Sequence, residues 1–341
     1  MPSDDADSDS DSNRDPDSGS DWGRDSGWGH DSDSSPPSDP SSPTGASPPS
    51  DPSASSGASP PSDPSSPNGS TSFETRLTEG WEYALRHLEL AVVPLLSSLL
   101  ALDNVRAVLD FRGIHMGLTF RFPGALPDLW TFVSVPSQGS GVHVSPTLFA
   151  IPVLILVRGV LVAGLIGSAR EVIRTGEYDF AANAREYFVP VVLFVALVHV
   201  AGLVTVSAGI LTFPSTLLLL LSFPLFILLS YLFYATPYLL VVGDLGVEEG
   251  LARSLEWALD GGPYFGYAAG YLLFVAAASL VGTALVVNLG ALGILVGAIA
   301  SAPVALALTF ATTGFVADLF DAEDGTDAGR SPGSPGSSRE W

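Results

Sequence analysis

Residues 188–243 read FVPVVLFVALVHVAGLVTVSAGILTFPSTLLLLLSFPLFILLSYLFYATPYLLVVG, and residues 261–317 read GGPYFGYAAGYLLFVAAASLVGTALVVNLGALGILVGAIASAPVALALTFATTGFVA. Neither stretch contains Asp, Glu, Lys or Arg. A membrane-crossing helix needs about 20 apolar residues, so each stretch is long enough for two crossings, with the connecting turns near Gly209 and Asn288. This reading decides the fold class: an all-α, multi-pass membrane protein.

Working outward, Leu88 to Leu109 and Thr147 to Gly167 supply two more apolar helices. The first has a short strongly apolar part, Leu90 to Leu102, and a Pro94 that can bend it. The remaining four fall at Phe188 to Ala208, Pro214 to Val242, Tyr264 to Val287 and Leu289 to Ala317, the second of these long enough to tilt or break. Six crossings place Arg76, Arg86, Arg170, Arg174, Arg185 and Arg253 on one side, against Arg106, Arg112 and Arg121 on the other. By the positive-inside rule both termini are cytoplasmic and the protein lies in the cell membrane.

A weak internal repeat groups the six helices into three hairpins. Before the first, third and fifth come Glu79-Gly80-Trp81-Glu82-Tyr83-Ala84-Leu85-Arg86, Ala181-Ala182-Asn183-Ala184-Arg185-Glu186-Tyr187-Phe188 and Gly250-Leu251-Ala252-Arg253-Ser254-Leu255-Glu256-Trp257. Each sets Arg and Glu beside an aromatic ring where the chain enters the membrane. Such segments suit amphipathic helices in the interface, rings at headgroup depth and charges in water. Repeats of this kind occur in transporters with a site between them, and they are also a simple way to build a bundle.

The first external loop has a different period. From Ile114 to Phe122, Ile114, Met116, Leu118, Phe120 and Phe122 alternate with His115, Gly117, Thr119 and Arg121, a strand pattern. Pro123 to Asp128 reads as a turn and Leu129 to Val135 as a returning strand. The expectation is a small external β-hairpin with its apolar side on the bundle or the bilayer surface, or else a lid over a site.

Outside residues 73–320 the composition changes. Residues 1–72 hold fourteen Asp against two Arg, and Pro-Pro-Ser-Asp-Pro recurs at 36–40, 48–52 and 60–64. Too few apolar groups are present to offset the entropy of ordering such a segment, so a disordered acidic tail is expected, with Trp22 and Trp28 as its only aromatic rings. No cationic and apolar leader pattern opens it. Residues 321–341 are expected to form a second, shorter disordered tail. The net charge of -22, the absence of Lys and Cys and the use of Arg alone as the basic residue point to a halophilic archaeal source, where exposed carboxylates aid solubility.

Two polar residues fall inside predicted membrane helices: Arg158 near the centre of the second and His199 near the centre of the third. An intramembrane Arg costs several kcal/mol unless it is paired or hydrated, which makes it a functional candidate. No Asp or Glu lies at matching depth in the sequence. Its partner is therefore sought among carbonyls freed by Pro152, Pro224 or Pro237, the hydroxyls of Tyr231 or Tyr234, or an anionic ligand such as a lipid phosphate. A snorkelling Arg and a neutral His bonded to a neighbouring helix are the simpler readings. The five His show no metal-ligand spacing, no phosphate-cradling loop or Gly-x-Ser-x-Gly elbow occurs, and so acidic a chain is not a nucleic-acid binder. No catalytic residue, metal site or cofactor is predicted.

Tyr234-Ala-Thr-Pro-Tyr-Leu-Leu-Val-Val-Gly-Asp, with Val247-Glu-Glu-Gly-Leu-Ala-Arg-Ser-Leu-Glu-Trp-Ala-Leu-Asp-Gly after it, resembles the fourth-helix exit and following amphipathic segment of uncharacterised haloarchaeal membrane proteins. Those are similar in plan to the six-helix membrane domain attached to some glycerophosphodiester phosphodiesterases. The resemblance covers about residues 73–320; the phosphodiesterase barrel has no counterpart here, so it implies a membrane module without that activity. The expected function is a non-enzymatic membrane module in an envelope or lipid-related process, with membrane lipids as partners. The alternative is a permease or lipid/anion transporter using Arg158 at the hairpin interface.

Overall fold

The computed structural model describes residues 72–136, 150–212 and 215–329, with the side chains of 205–223 and 324–329 excepted. The predicted N-terminal tail, apart from Ser72, and residues 330–341 lie outside the described residues. Eleven α-helices are described: α1 (Phe73–Arg86), α2 (Val92–Leu100), α3 (Leu102–Asp110), α4 (Ile151–Thr175), α5 (Phe180–Glu186), α6 (Phe188–Thr212), α7 (Ser215–Phe233), α8 (Thr236–Val242), α9 (Val247–Asp260), α10 (Gly262–Leu289) and α11 (Ala291–Gly329). Short 3₁₀ turns occupy Leu88–Ala91 and Leu129–Thr131, and no strand occurs among the described residues.

Four segments are long and apolar enough to cross a membrane: Ile151–Thr175, Pro224–Val242, Gly262–Leu289 and Ala291–Glu323. Two bent pairs raise the number to six: Phe73–Arg86 with Leu88–Leu100, at 98°, and Phe180–Glu186 with Phe188–Val204, at 65°. The chain is thus all-helical, with four to six candidate spans.

Each amphipathic segment read from the sequence is a helix joined directly to an apolar one. Ser72 caps α1 by accepting from the Thr75 amide, and Asp179 caps α5 by accepting from the Ala181 and Ala182 amides. Glu248 and Glu249 stand in the first turn of α9, where carboxylates suit the helix dipole. The turns into the apolar helices come at His87, at Tyr187 and at Gly261, whose φ of 72° costs a glycine little.

The core is aromatic at the end where these helices gather. Tyr264, Tyr267, Ala268, Tyr271 and Val275 recur at helical spacing on α10 and are all buried. Tyr267 stacks on Phe315 at 4.0 Å and donates to or accepts from Thr312 at 2.9 Å; Tyr234 stacks on Tyr264 at 4.2 Å. Gly80 brings α1 so close to α11 that an added Cβ would lie 2.4 Å from the Ala307 carbonyl oxygen. Arg170 of α4 donates to the Tyr187 hydroxyl at 2.8 Å and to the Val241 carbonyl at 2.7 Å, tying three elements together. Tyr178, in the turn before α5, donates to Glu89; burial, aided by that carboxylate, pushes its hydroxyl up to about 12.

Several boundaries move. The first predicted helix breaks at Ala101, where ψ is 62°, and the fourth divides between α7 and α8 at Tyr234–Ala235. The sixth continues to Gly329, past Asp321, where a tail was expected to begin; Glu323 is held by Arg253 and by the Trp257 indole N–H at 2.6 Å.

The predicted β-hairpin is not formed. Residues 112–136 are described throughout, and they contain extended backbone and the Leu129–Thr131 turn in place of strands. The reason lies in where their backbone groups find partners. The His115 amide donates to Asn288 Oδ1 at 2.9 Å and its carbonyl accepts from Asn288 Nδ2 at 3.1 Å; the Thr119 amide donates to Ser279 Oγ at 3.0 Å and the Ser134 amide to Thr283 Oγ1 at 2.8 Å. Polar side chains of α10 replace a sister strand. At Gly282 a Cβ would meet the Phe132 carbonyl oxygen at 2.5 Å, so the missing side chain makes room for the docked segment.

Candidate functional site

The run from Ile114 to Phe122 lies along the flank of α10. His115 pairs with Asn288 and Thr119 with Ser279; four extended residues cover about 13 Å, and the nine helical residues from 279 to 288 cover about 13.5 Å. The two rises match, so the segment descends α10 antiparallel to it. Three residues further, the Phe122 ring meets Tyr231 at 5.6 Å, and Tyr231 in turn meets Tyr264 and Phe265 near the start of α10. The Gly124 carbonyl accepts from the buried Tyr238 hydroxyl at 2.8 Å. This segment therefore follows α10 for most of its length.

Its period-two pattern sorts the two faces. Ile114, Met116, Leu118 and Phe120 are 87%, 77%, 47% and 45% exposed, whereas His115 and Thr119 are half-buried, their amides donating to α10 and the Thr119 hydroxyl to the Thr131 carbonyl at 3.1 Å. The apolar face points away from the protein, the reverse of what a water-soluble hairpin requires. Arg121 falls in the polar register of the same run.

From the turn the chain returns through Asp128, which is 7% exposed. Its carboxylate accepts from Ser97 Oγ at 2.9 Å and from the Trp130 amide at 3.0 Å, and its own amide donates to Thr131 Oγ1, a capping box. The Trp130 indole N–H donates to the Ser98 carbonyl at 2.7 Å, and the Leu129 amide to Ser98 Oγ, which locks the return on α2. Among the described residues neither Arg121 nor Arg158 comes within 4.0 Å of a carboxylate oxygen, so the hydrogen bonds of Asp128 are those from Ser97 and Trp130. The Tyr271 hydroxyl on α10 is buried and has no hydrogen-bond partner among the described residues.

Arg158, the residue singled out in the sequence, sits seven residues into α4, about 10 Å from that helix's N-terminal end. It is off-centre because α4 runs on to Thr175. Its side chain is exposed. Among the described residues no carboxylate oxygen lies within ion-pair distance of it. The tyrosines considered as partners are engaged elsewhere, Tyr231 donating to the Ala258 carbonyl at 3.0 Å and Tyr234 to the Tyr264 carbonyl at 2.9 Å.

His199 belongs to a different place. Its Nδ1 is 2.7 Å from the Val195 carbonyl oxygen one turn back, so the ring nitrogen donates within α6 itself and not to a neighbouring helix. It lies about 10 Å along α6 from Val192, the residue packed on Gly159 of α4. No described contact brings His199 to Arg158.

Asp128 and Arg121 were missed as site residues for an identifiable reason. Both residues lie between the predicted membrane helices, where the hydropathy pattern carries no signal of depth. The signals were there: Asp128-x-x-Thr131 is a capping pattern, and the period-two register puts Arg121 on one face with His115 and Thr119. Among the described residues no group of His, Cys, Asp or Glu is disposed to hold a metal ion. Comparison of the chain with protein-family models, with curated proteins and with solved structures finds no match.

Proposed function

We propose that the chain is a non-enzymatic membrane module serving an envelope or lipid-related process. It lies in the cell membrane with six crossings, built as three hairpins that are each introduced by an interfacial helix, and both termini are cytoplasmic. The segment 112–136 then enters the bilayer from the outside along α10 and returns. Non-helical backbone at that depth requires internal hydrogen-bond partners, a need that Asn288, Ser279, Thr283, Ser98 and Tyr238 meet.

One observation carries this reading. The described interior is filled by interlocked side chains, Tyr238, Tyr264, Tyr267, Tyr271, Phe310 and Phe315 all being buried, while the charged groups stand at the lateral flank beside an outward apolar stripe. Two clefts of about 400 and 300 Å³ lie at the amphipathic helices, one lined by Phe180, Ala184 and Arg185 and the other by Arg76, Glu79 and Arg86; neither reaches Arg158. A bundle packed with rings at that end and charged at its side suits contact with lipids better than passage of a solute. The resemblance to phosphodiesterase-attached membrane domains agrees in plan and supplies no activity.

The exposed Arg158 favours a second reading, a permease or lipid/anion transporter working at the hairpin interface. Reconstitution separates the two. Proteoliposomes of the full chain should pass phosphate, chloride and fluorescent lipid no faster than empty vesicles; a saturable flux that Arg158→Gln abolishes would replace the module with the transporter. Topology is tested by single cysteines in this Cys-free chain: in sealed inside-out vesicles Ser338→Cys should react with a membrane-impermeant maleimide and Ser140→Cys should not.

A further inference from the structure

We propose that the apolar cleft in the bend between α5 and α6 is a binding site for an anionic phospholipid, its phosphate held by Arg185 and the start of its chains by Phe180, Phe188 and Val160. The proposal rests on the membrane reading above and adds the class of lipid and the place where it binds.

The internal repeat supplies the first argument. Each of the three repeated segments carries one arginine close to an aromatic ring: Arg86, Arg185 and Arg253. Arg86 lies over the Tyr83 ring at 4.8 Å and pairs with Glu82 at 3.8 Å, and Arg253 pairs with Glu323. Arg185 alone of the three has no carboxylate oxygen within ion-pair distance among the described residues. The nearby carboxylates are engaged elsewhere: Glu171 accepts from Asn183 Nδ2 at 2.6 Å and from the Asp179 amide at 2.9 Å, and Asp179 caps α5. Glu186 adjoins Arg185 in the same helix, and adjacent helical residues do not face each other. A guanidinium with five donors in a planar fork, suited to phosphate oxygens, is left open.

The lining is the second. The cleft holds about 400 Å³ and is walled by Val160, Phe180, Ala181, Ala184, Arg185 and Phe188, one cation on an otherwise apolar surface. Ligand pockets run from about 300 to 1,000 Å³, so there is room for a headgroup and the first part of a chain. The cleft at α1 makes the contrast, since Arg76 and Arg86 line it together with Glu79 and Glu82 and its charges balance without a ligand. An unmatched cation beside apolar surface is costly unless an anion or water compensates it.

The third argument concerns access and source. α5 meets α6 at 65°, and both are seated on α4 through missing side chains: a Cβ at Gly164 would lie 2.4 Å from the Phe180 ring, and one at Gly159 2.2 Å from Val192. The bend is thereby held in place. Val160 in the cleft wall is exposed, as are Val189 and Leu193 on α6 just past Phe188. With α5 in the membrane interface, Arg185 stands at headgroup depth and these residues at the depth of the chains. Free phosphate would satisfy the arginine and leave the apolar wall uncovered; a phospholipid covers both.

The test uses the full chain in nanodiscs of phosphatidylcholine with a small fraction of phosphatidylglycerol, read by native mass spectrometry at equal folded yield. The expected result is retention of phosphatidylglycerol in preference to phosphatidylcholine, weakened about five-fold by Arg185→Gln and largely restored by Arg185→Lys. Ala181→Trp fills the cleft from an exposed position and leaves every charge in place, and it should weaken retention to a similar extent. Arg174→Gln removes the same charge from the last turn of α4, outside the cleft, and should leave retention unchanged. Unchanged retention in Arg185→Gln, or an equal loss in Arg174→Gln, would overturn the site. Loss in Arg185→Gln with full retention in Ala181→Trp would overturn the cleft as its place. Inorganic phosphate displacing the lipid at equal concentration would overturn the phospholipid as its occupant. The site and the module fail separately: solute flux in the proteoliposome assay together with the expected retention pattern would overturn the non-transporting role and leave the site standing.

Discussion

Two regions of the molecule handle charge in opposite ways. Where α1, α9 and the end of α11 meet, arginines are matched to carboxylates: Arg76 to Asp318 and Glu79, Arg253 to Glu323, with the Trp257 indole on the same Glu323. At the flank where residues 112–136 dock on α10, neither Arg121 nor Arg158 has a carboxylate within ion-pair distance among the described residues. The first region is also closed by stacked rings, among them Tyr83 on Phe310 at 5.5 Å and Tyr267 on Phe315; the second leaves its apolar residues turned outward. Matched charge over a packed core is what a structural clamp needs. Unmatched charge beside an open apolar stripe is an arrangement that folding alone does not require.

Substitutions that break this contrast should differ in size. Gly80→Leu is the most severe, because its side chain would have to displace the backbone of α11 at Ala307 and Ala311; no monodisperse protein should be recovered by size exclusion in detergent. Asp128→Ala comes next: it removes the cap and strands the Ser97 hydroxyl. A loss of about 2–3 kcal/mol is expected in thermal unfolding followed by Trp fluorescence, with Asp128→Asn losing far less. Asn288→Ala removes both bonds to the His115 backbone and should cost about 1–2 kcal/mol, accompanied by faster proteolysis at Arg112 and Arg121.

At the clamp the effects are smaller. Glu323→Gln keeps the shape and weakens a half-exposed pair, so about 1 kcal/mol is expected, less at high salt. Arg86→Gln acts on an exposed pair with Glu82 at 3.8 Å and should change the unfolding temperature within error. If Glu323→Gln proved as damaging as Asp128→Ala, the contrast between a surface-tolerant clamp and a buried polar flank would fail.

The helices were legible in the sequence because their signal is local. Uncharged length gave the apolar helices at 188–243 and 261–317, and Arg–Glu–aromatic segments gave α1, α5 and α9. Breaks were harder. Nothing local separates Ala101 from its neighbours, and the Tyr234–Ala235 division lies inside an apolar run where the tyrosines find carbonyls far away in the chain.

The docked segment departs from its strand pattern for a physical reason of the same kind. Alternation fixes which residues share a face, and it says nothing of what supplies the backbone partners. In a hairpin turning at 123–128 the partner of His115 would be about 20 residues away; its actual partner is Asn288, 173 residues on. Arg158 was found because an Arg in an apolar helix is conspicuous by itself. Asp128 is held by Ser97, 31 residues away, a pairing that only tertiary packing makes, and His199, equally conspicuous, is satisfied within its own helix.

The central claim is that residues 114–120 run along α10 inside the bilayer with the even-numbered side chains facing lipid. Spin labels placed singly at Met116, Leu118 and Phe120, and at Arg112 for reference, can be read by power saturation with oxygen and with a water-soluble nickel complex. The account predicts oxygen-dominated relaxation at 116, 118 and 120, deepening along the series, and nickel-dominated relaxation at 112. Nickel access at all four positions would place the segment in water outside the membrane and contradict the account.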